Sequence, residues 1–171
     1  MSRAKGYSIW LIPDGKAGEV LSTIINRFSK KYNSPYFQPH VTLIGEIEEQ
    51  ENIIIEKAHL LAQELSEFEI KLESYGQTED YFRSLFLEAQ KGRFILEANN
   101  KAREIFKAIN EIPFLPHLSL IYGHLSKEAK ENMISEIKDS LPISFNVNKL
   151  HIISALGEPK DWKIIKEISF S

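Results

Sequence analysis

Two short stretches of the chain pair a histidine with a hydroxyl residue at the same spacing. "PYFQPHVTLIG" (35–45) carries His40 and Thr42, and "PFLPHLSLIYG" (113–123) carries His117 and Ser119, with the two histidines 77 positions apart. In extended chain, residues i and i+2 face the same side. His40 therefore projects with Thr42 and His117 with Ser119, while Val41, Leu43, Leu118 and Leu120 turn the other way, into a core. If the two strands lie side by side, one cleft holds two imidazoles and two hydroxyls. An imidazole titrates near about pH 6.5, so one can be neutral and take a proton from water while the other is charged and protonates a leaving oxygen. Thr42 and Ser119 would donate hydrogen bonds to nonbridging phosphate oxygens, where negative charge builds. That set suits hydrolysis of a cyclic phosphodiester. It needs no metal, and no His-Glu-x-x-His or Asp-x-Asp spacing supplies ligands for one. A single histidine in an apolar strand is more often a core or edge residue than a catalyst. Two copies of Pro-His-apolar-hydroxyl-Leu-Ile in one chain reverse that weighting.

The elements that must position these residues follow from periodicity. "YSIWLI" (7–12) reads as a buried strand ending at Pro13. In 18–32, Val20, Leu21, Ile24, Ile25 and Phe28 recur at helical spacing, with Lys30 and Lys31 in the last turn, where they favour the helix dipole. The first cassette is a strand. Residues 53–68 form a helix on Ile54, Ala58, Leu61 and Leu65, preceded by an acidic, solvated start. "FEIKLESY" (68–75) and "FRSLFLEA" (82–89) are strands. Residues 93–109 form a helix with Phe94, Ile95, Ala98, Ala102, Ile105 and Phe106 on one face. After the second cassette comes a helix over 127–141, with Ser126 as a candidate N-cap. "SFNVNKLHIISALG" (144–157) and "DWKIIKEISF" (161–170) close the chain as two strands. No Gly-rich phosphate loop follows the first strand, so a parallel nucleotide-binding sheet is not supported. An α+β fold fits better: one domain, 1–171, of two sheet-and-helix lobes related by approximate two-fold symmetry, each giving one cassette to a shared cleft.

Composition narrows the function classes. The chain has 171 residues and is 43% hydrophobic, enough to bury a sizeable core without disulfides or metal. It has no cysteine, which excludes thiolate nucleophiles and zinc ribbons and fits a reducing, cytoplasmic setting. No segment reads as a signal peptide or membrane span. A net charge of −3 with both signs interspersed argues against long nucleic acid as a partner. A small anion, bound by a monomer and with no cofactor, is the partner expected.

At the two His-x-Thr/Ser motifs the sequence resembles the two-histidine (2H) phosphoesterase superfamily. Within it, "YSIWLIPDG", "PHVTLIG", "PHLSLIYG" and "LGEPKDWKIIKEISF" resemble cyclic phosphodiesterases of the plant and yeast type. The resemblance implies a bilobal fold, with two antiparallel sheets facing a cleft and helices outside. It also implies metal-free opening of ADP-ribose 1'',2''-cyclic phosphate to ADP-ribose 1''-phosphate, and of nucleoside 2',3'-cyclic phosphates to 2'-phosphates. Carried over by position, His40 takes the acid role and His117 the base role, with Thr42 and Ser119 on the phosphate. Tyr122 matches a tyrosine that helps hold the phosphate.

Other residues are weaker candidates. Tyr7 or Trp10 could stack on a base, but their odd spacing lets at most one reach the cleft. Arg83 could meet a phosphate. His124 is read as a surface residue, and His59 and His151 as structural. Three rival readings remain at this level: an RNA 2',3'-cyclic phosphodiesterase acting on RNA ends, a non-catalytic nucleotide- or phosphate-binding module of the same fold, and a purely structural protein. The first calls for a basic track. The second calls for a lost histidine, and the third leaves the paired cassettes unexplained.

Overall fold

The computed structural model describes residues 3–108 and 112–171. The strands are β1 (Tyr7–Leu11), β2 (Val41–Ile47), β3 (Phe68–Gln77), β4 (Leu85–Ala89), β5 (His117–Ile121), β6 (Ile143–Val147), β7 (Lys149–Ser154) and β8 (Lys163–Ser169). The helices are α1 (Gly15–Lys31), α2 (Glu51–Gln63), α3 (Arg93–Ile105) and α4 (Lys127–Ile137). The strands run in the order β6-β3-β4-β5-β2-β1-β7-β8, every pairing antiparallel.

Two four-stranded halves meet at the β2–β5 seam, where Val41 faces Leu118. An antiparallel register through that pair sets His40 opposite Ser119 and Thr42 opposite His117. A two-fold axis through the seam therefore exchanges the histidines and exchanges the hydroxyl residues. The same axis relates β1 to β4, β7 to β3 and β8 to β6, so the α+β class and the approximate symmetry expected from the repeated cassette hold.

The helices cover the face opposite the histidines. Val41, Leu118 and Leu120 are fully buried and Leu43 almost so. Behind them α1 packs on β5 and α3 on β2, so the helix that follows each strand beside the seam pair, β1 and β4, backs the other half's motif. Leu21, Ile24, Ile25 and Phe28 of α1 supply its buried stripe, and Ile95, Ala98 and Ala102 that of α3. Phe94 does not share the α3 stripe. It is 60% exposed, because the stripe through 95, 98 and 102 leaves position 94 to one side. The stretch expected to be a helix as far as 109 ends as α3 at Ile105, with Lys107 at φ 53, and residue 109 lies outside the described residues.

The segment 144–157 is two strands rather than one. β6 pairs with β3 and β7 with β1, so the chain passes from one half of the sheet to the other around Asn148. The apolar alternation changes phase there, from Phe145 and Val147 to Leu150 and Ile152 across the polar pair Asn148 and Lys149, which is the local mark of the break. Ser126 does cap α4: its hydroxyl accepts from the Ala129 N–H at 3.1 Å. No helix among the described residues is long and apolar enough to cross a membrane.

Candidate active site

Each motif histidine starts at a proline. Pro39 and Pro116 lack an N–H, which suits the first position of a strand. The imidazoles that follow are held alike: His40 Nδ1 donates to Gln38 O at 2.7 Å, and His117 Nδ1 to Leu115 O at 2.8 Å. A carbonyl only accepts, so Nδ1 carries the proton and Nε2 is the nitrogen left for chemistry. Both residues line one cleft of about 660 Å³, together with Thr42, Ser119, Tyr122, Trp10 and Arg83.

An aromatic ring from the neighbouring strand backs each histidine. Trp10 lies flat on His40, with ring centroids 3.5 Å apart and planes 5° from parallel. Across the two-fold, Phe86 meets His117 edge-on at 5.1 Å. Phe86 has room only because residue 76, its cross-strand partner on β3, is glycine; a Cβ there would lie 2.3 Å from the phenyl ring. Burial lowers the pKa of both histidines. Desolvation takes His40 down to about 3, opposed by its bond to Gln38 O and assisted by the His117 charge. His117 is less enclosed, and desolvation lowers it with help from Arg83, against its bond to Leu115 O and the Glu88 carboxylate. Burial therefore favours the neutral form of both imidazoles.

Bulges in β2 set the hydroxyl side. The register with β1 slips on both sides of Ile9, so Trp10 faces Thr42, and Glu46 adopts φ 54. Asn99 of α3 donates to Leu43 O at 2.8 Å in the buried region behind this irregularity. The Thr42 hydroxyl makes no bond among the described residues. Ser119, by contrast, donates to Phe82 O at 2.7 Å.

The turn that contains Phe82 is tied at many points. Thr78 Oγ1 donates to Arg83 O, the Asp80 N–H donates to Thr78 Oγ1, and the Gly123 N–H donates to Tyr81 O. Lys130, only 2% exposed, donates from Nζ to Thr78 O at 2.7 Å. Arg83 Nη2 donates to Asp80 at 3.0 Å, while its Nε is buried without a partner.

The weaker sequence candidates divide. Trp10 reaches the cleft. Tyr7 does not: its hydroxyl donates to Glu51 at 3.0 Å, on the other side of β1. Tyr122 lines the cleft, stacks on Phe37 at 3.7 Å, and has its pKa pushed far up by burial, so its phenol stays a neutral donor. His124 and His59 are exposed, and His151 is buried on β7 opposite Trp10. Sequence reasoning passed over Ser8, Phe86, Trp162 and the basic pair Arg3 and Lys5. All but Phe86 line the cleft, and only the alternation of Ser8 with Trp10 carried a local signal. Among the described residues no three His, Asp or Glu side chains gather as a metal site would need.

A family model described as cyclic phosphodiesterase-like protein matches residues 5–170. The chain is 28% identical over 169 residues to the cyclic phosphodiesterase of Arabidopsis thaliana, across 90% of this chain and 87% of the plant protein. Among solved structures, TT0787 of Thermus thermophilus superposes with a TM-score of 0.69 at 15% identity, covering 96% of this chain and 97% of the other. E. coli LigT complexed with 3'-AMP gives 0.62 at 14% identity, covering 99% of both chains. At these identities the structural likeness shows the fold.

Proposed function

The chain belongs to the cyclic phosphodiesterase-like family of two-histidine phosphoesterases, and from that membership we propose that its cleft opens small cyclic phosphodiesters by acid and base catalysis from His40 and His117. The substrates are ADP-ribose 1'',2''-cyclic phosphate and nucleoside 2',3'-cyclic phosphates. One observation carries this reading: the β2–β5 register sets the two His-x-hydroxyl pairs into one cleft, with both imidazoles in the same tautomer.

The neutral imidazole takes a proton from water as the water oxygen bonds to phosphorus. The P–O3' bond breaks, the charged imidazole protonates O3', and a 2'-phosphate leaves. In the ADP-ribose compound the bond that breaks is P–O2''. The two histidines then exchange a proton with solvent to restore the starting charges. The phosphate anion itself offsets the effect of burial, since a bound negative charge favours an imidazolium beside it.

Equal tautomers allow either division of roles. The motif resemblance puts the acid at His40 and the base at His117; burial favours the reverse, because it favours the neutral form more strongly at the more enclosed His40 than at His117. We take His40 as base and His117 as acid. Thr42 and Tyr122 donate to the nonbridging oxygens, and Arg83, with Nε unpartnered, adds charge on the His117 side. Ser119 reaches the phosphate only by turning its hydroxyl away from Phe82 O. Trp10, Phe82 and Trp162 give a nucleobase an aromatic wall.

The test is a substrate panel in the presence of chelator: ADP-ribose 1'',2''-cyclic phosphate, each nucleoside 2',3'-cyclic phosphate, and a short RNA ending in a cyclic phosphate. Turnover of the small compounds is the expected result. No turnover refutes the reading, and turnover of the RNA alone replaces it with an RNA-end activity.

A further inference from the structure

We propose that the rim of the cleft holds a second anion subsite, formed by Arg3 and Lys5, for a phosphate group of the substrate other than the one being hydrolysed. The inference rests on the cyclic phosphodiesterase reading and deepens it to a preference for substrates that carry a further phosphate monoester or diphosphate.

Arg3, Ala4 and Lys5 all line the cleft that contains the histidines. Both cations are exposed, and neither makes an ion pair or a side-chain hydrogen bond among the described residues. The segment is nevertheless fixed. Ala4 forms a β-bridge with Gly157, and the Ala155 N–H donates to Gly6 O at 3.0 Å. Gly6 turns at φ 65, and a Cβ there would lie 2.3 Å from Ile47 O, so the turn that leads residues 3–5 along the rim admits only glycine. In an extended segment, residues 3 and 5 share a side.

Charge then decides what the rim accepts. Of the other charged groups on the cleft, Arg83 and Asp80 pair with each other, which leaves the Glu46 carboxylate against two free cations. A cyclic phosphodiester carries one negative charge, and Thr42, Tyr122 and Arg83 already stand ready for it. Two additional unpaired cations suit a second phosphate, and a cleft of about 660 Å³ is large enough to bury a phosphorylated nucleotide. A nucleic-acid strand fits less well. Beyond Arg3 the surface continues to Glu158 and Asp161, with Lys160 already paired to Glu158, so the positive charge stops at the rim.

The experiment compares adenosine 2',3'-cyclic phosphate with the same compound bearing a 5'-phosphate, in the wild type and in the Arg3→Ala/Lys5→Ala double variant. Two exposed cations acting together predict a wild-type preference in kcat/KM of about tenfold for the 5'-phosphorylated compound, shrinking with added salt. The double variant is expected to cut that ratio to within about twofold, in line with loss of both ion pairs. A wild-type ratio near one, a preference that survives the double substitution, or stronger Arg3- and Lys5-dependent turnover of a short RNA ending in a cyclic phosphate would each overturn the proposal. If neither mononucleotide is opened, the full substrate panel judges the hydrolytic reading, and binding judges the subsite by itself. Calorimetry should then show ADP binding more tightly than adenosine in the wild type and no such difference in the double variant; equal affinities in the wild type refute it.

Discussion

Ser119 gives its hydroxyl proton to the carbonyl of Phe82 at 2.7 Å, whereas Thr42, its counterpart across the seam, bonds to nothing among the described residues. The two motifs are alike in sequence and different in hydrogen bonding. That asymmetry separates the expected effects of removing each hydroxyl.

If Thr42 donates to the phosphate as proposed, Thr42→Val removes that donor, and kcat/KM is expected to fall by about ten- to a hundredfold, toward the loss seen for a missing oxyanion donor. Ser119→Ala instead removes a tie to the turn that carries Tyr81, Phe82 and Arg83. Hydrogen exchange at the Gly123 amide, which donates to Tyr81 O in that turn, is expected to speed up, with a stability loss of about 1 kcal/mol. Unaltered Gly123 protection in Ser119→Ala would show that Ser119 does not hold the turn.

Gly76→Ala tests the backing of His117. The added methyl would sit 2.3 Å from the Phe86 ring, and Phe86 can yield only toward His117 or into the core. Overpacking of this kind costs roughly 1 to 3 kcal/mol. The His117 ring resonances are expected to shift while those of His40, across the seam, stay in place. Equal shifts at both histidines would contradict local contact as the cause.

The lowered histidine pKa values fix the sign of two pH effects. In the folded chain His40 titrates near about 3, below its unfolded value near 6.5, so the unfolded state takes up the proton first as pH falls. Its contribution to stability is complete above the unfolded value and is lost as pH drops toward about 3. His117 and His151, also lowered mainly by burial, act in the same direction. Thermal midpoints measured from neutral to acid pH should fall, and the slope should be shallower in His40→Gln. An unchanged slope would clear His40 of the effect. For catalysis, the kcat/KM profile of the free protein should have its limbs on the acid side of the ordinary histidine range. The kcat profile should be displaced upward, because bound phosphate favours the charged imidazole.

Leaving-group chemistry separates acid from base. A cyclic phosphate whose leaving atom is sulfur departs without a proton. It is expected to restore much of the turnover of His117→Ala and little of that of His40→Ala. The opposite pattern would return the acid role to His40.

Much of this was readable in the chain, because it is written in local patterns. The His-x-hydroxyl spacing, the apolar residues between, and the helical stripes of α1 and α3 each reflect contacts within a few residues. What was hidden depends on long-range register. The seam pairing of Val41 with Leu118 has no local signature. The accommodation of Phe86 by Gly76 joins two strands, and the Lys130 bond to Thr78 O joins a helix to a turn far away in sequence. The passage at Asn148 did leave a local mark, the change of apolar phase from Phe145 and Val147 to Leu150 and Ile152, but which strands the two pieces join is set by long-range pairing. Arg3 and Lys5 looked like an ordinary basic start until Gly6 and Gly157 placed them on the cleft.

The central claim is that His40 and His117 together open a cyclic phosphodiester. The most direct measurement follows adenosine 2',3'-cyclic phosphate by phosphorus NMR, in chelator, with wild type, His40→Ala, His117→Ala and the double variant. The account predicts a single 2'-phosphate product from the wild type and a loss of about a hundredfold or more in each single variant. It also predicts that the double variant is little worse than the poorer single one, since the two groups act as a unit. Full turnover in either single variant, or a 3'-phosphate product, would contradict it.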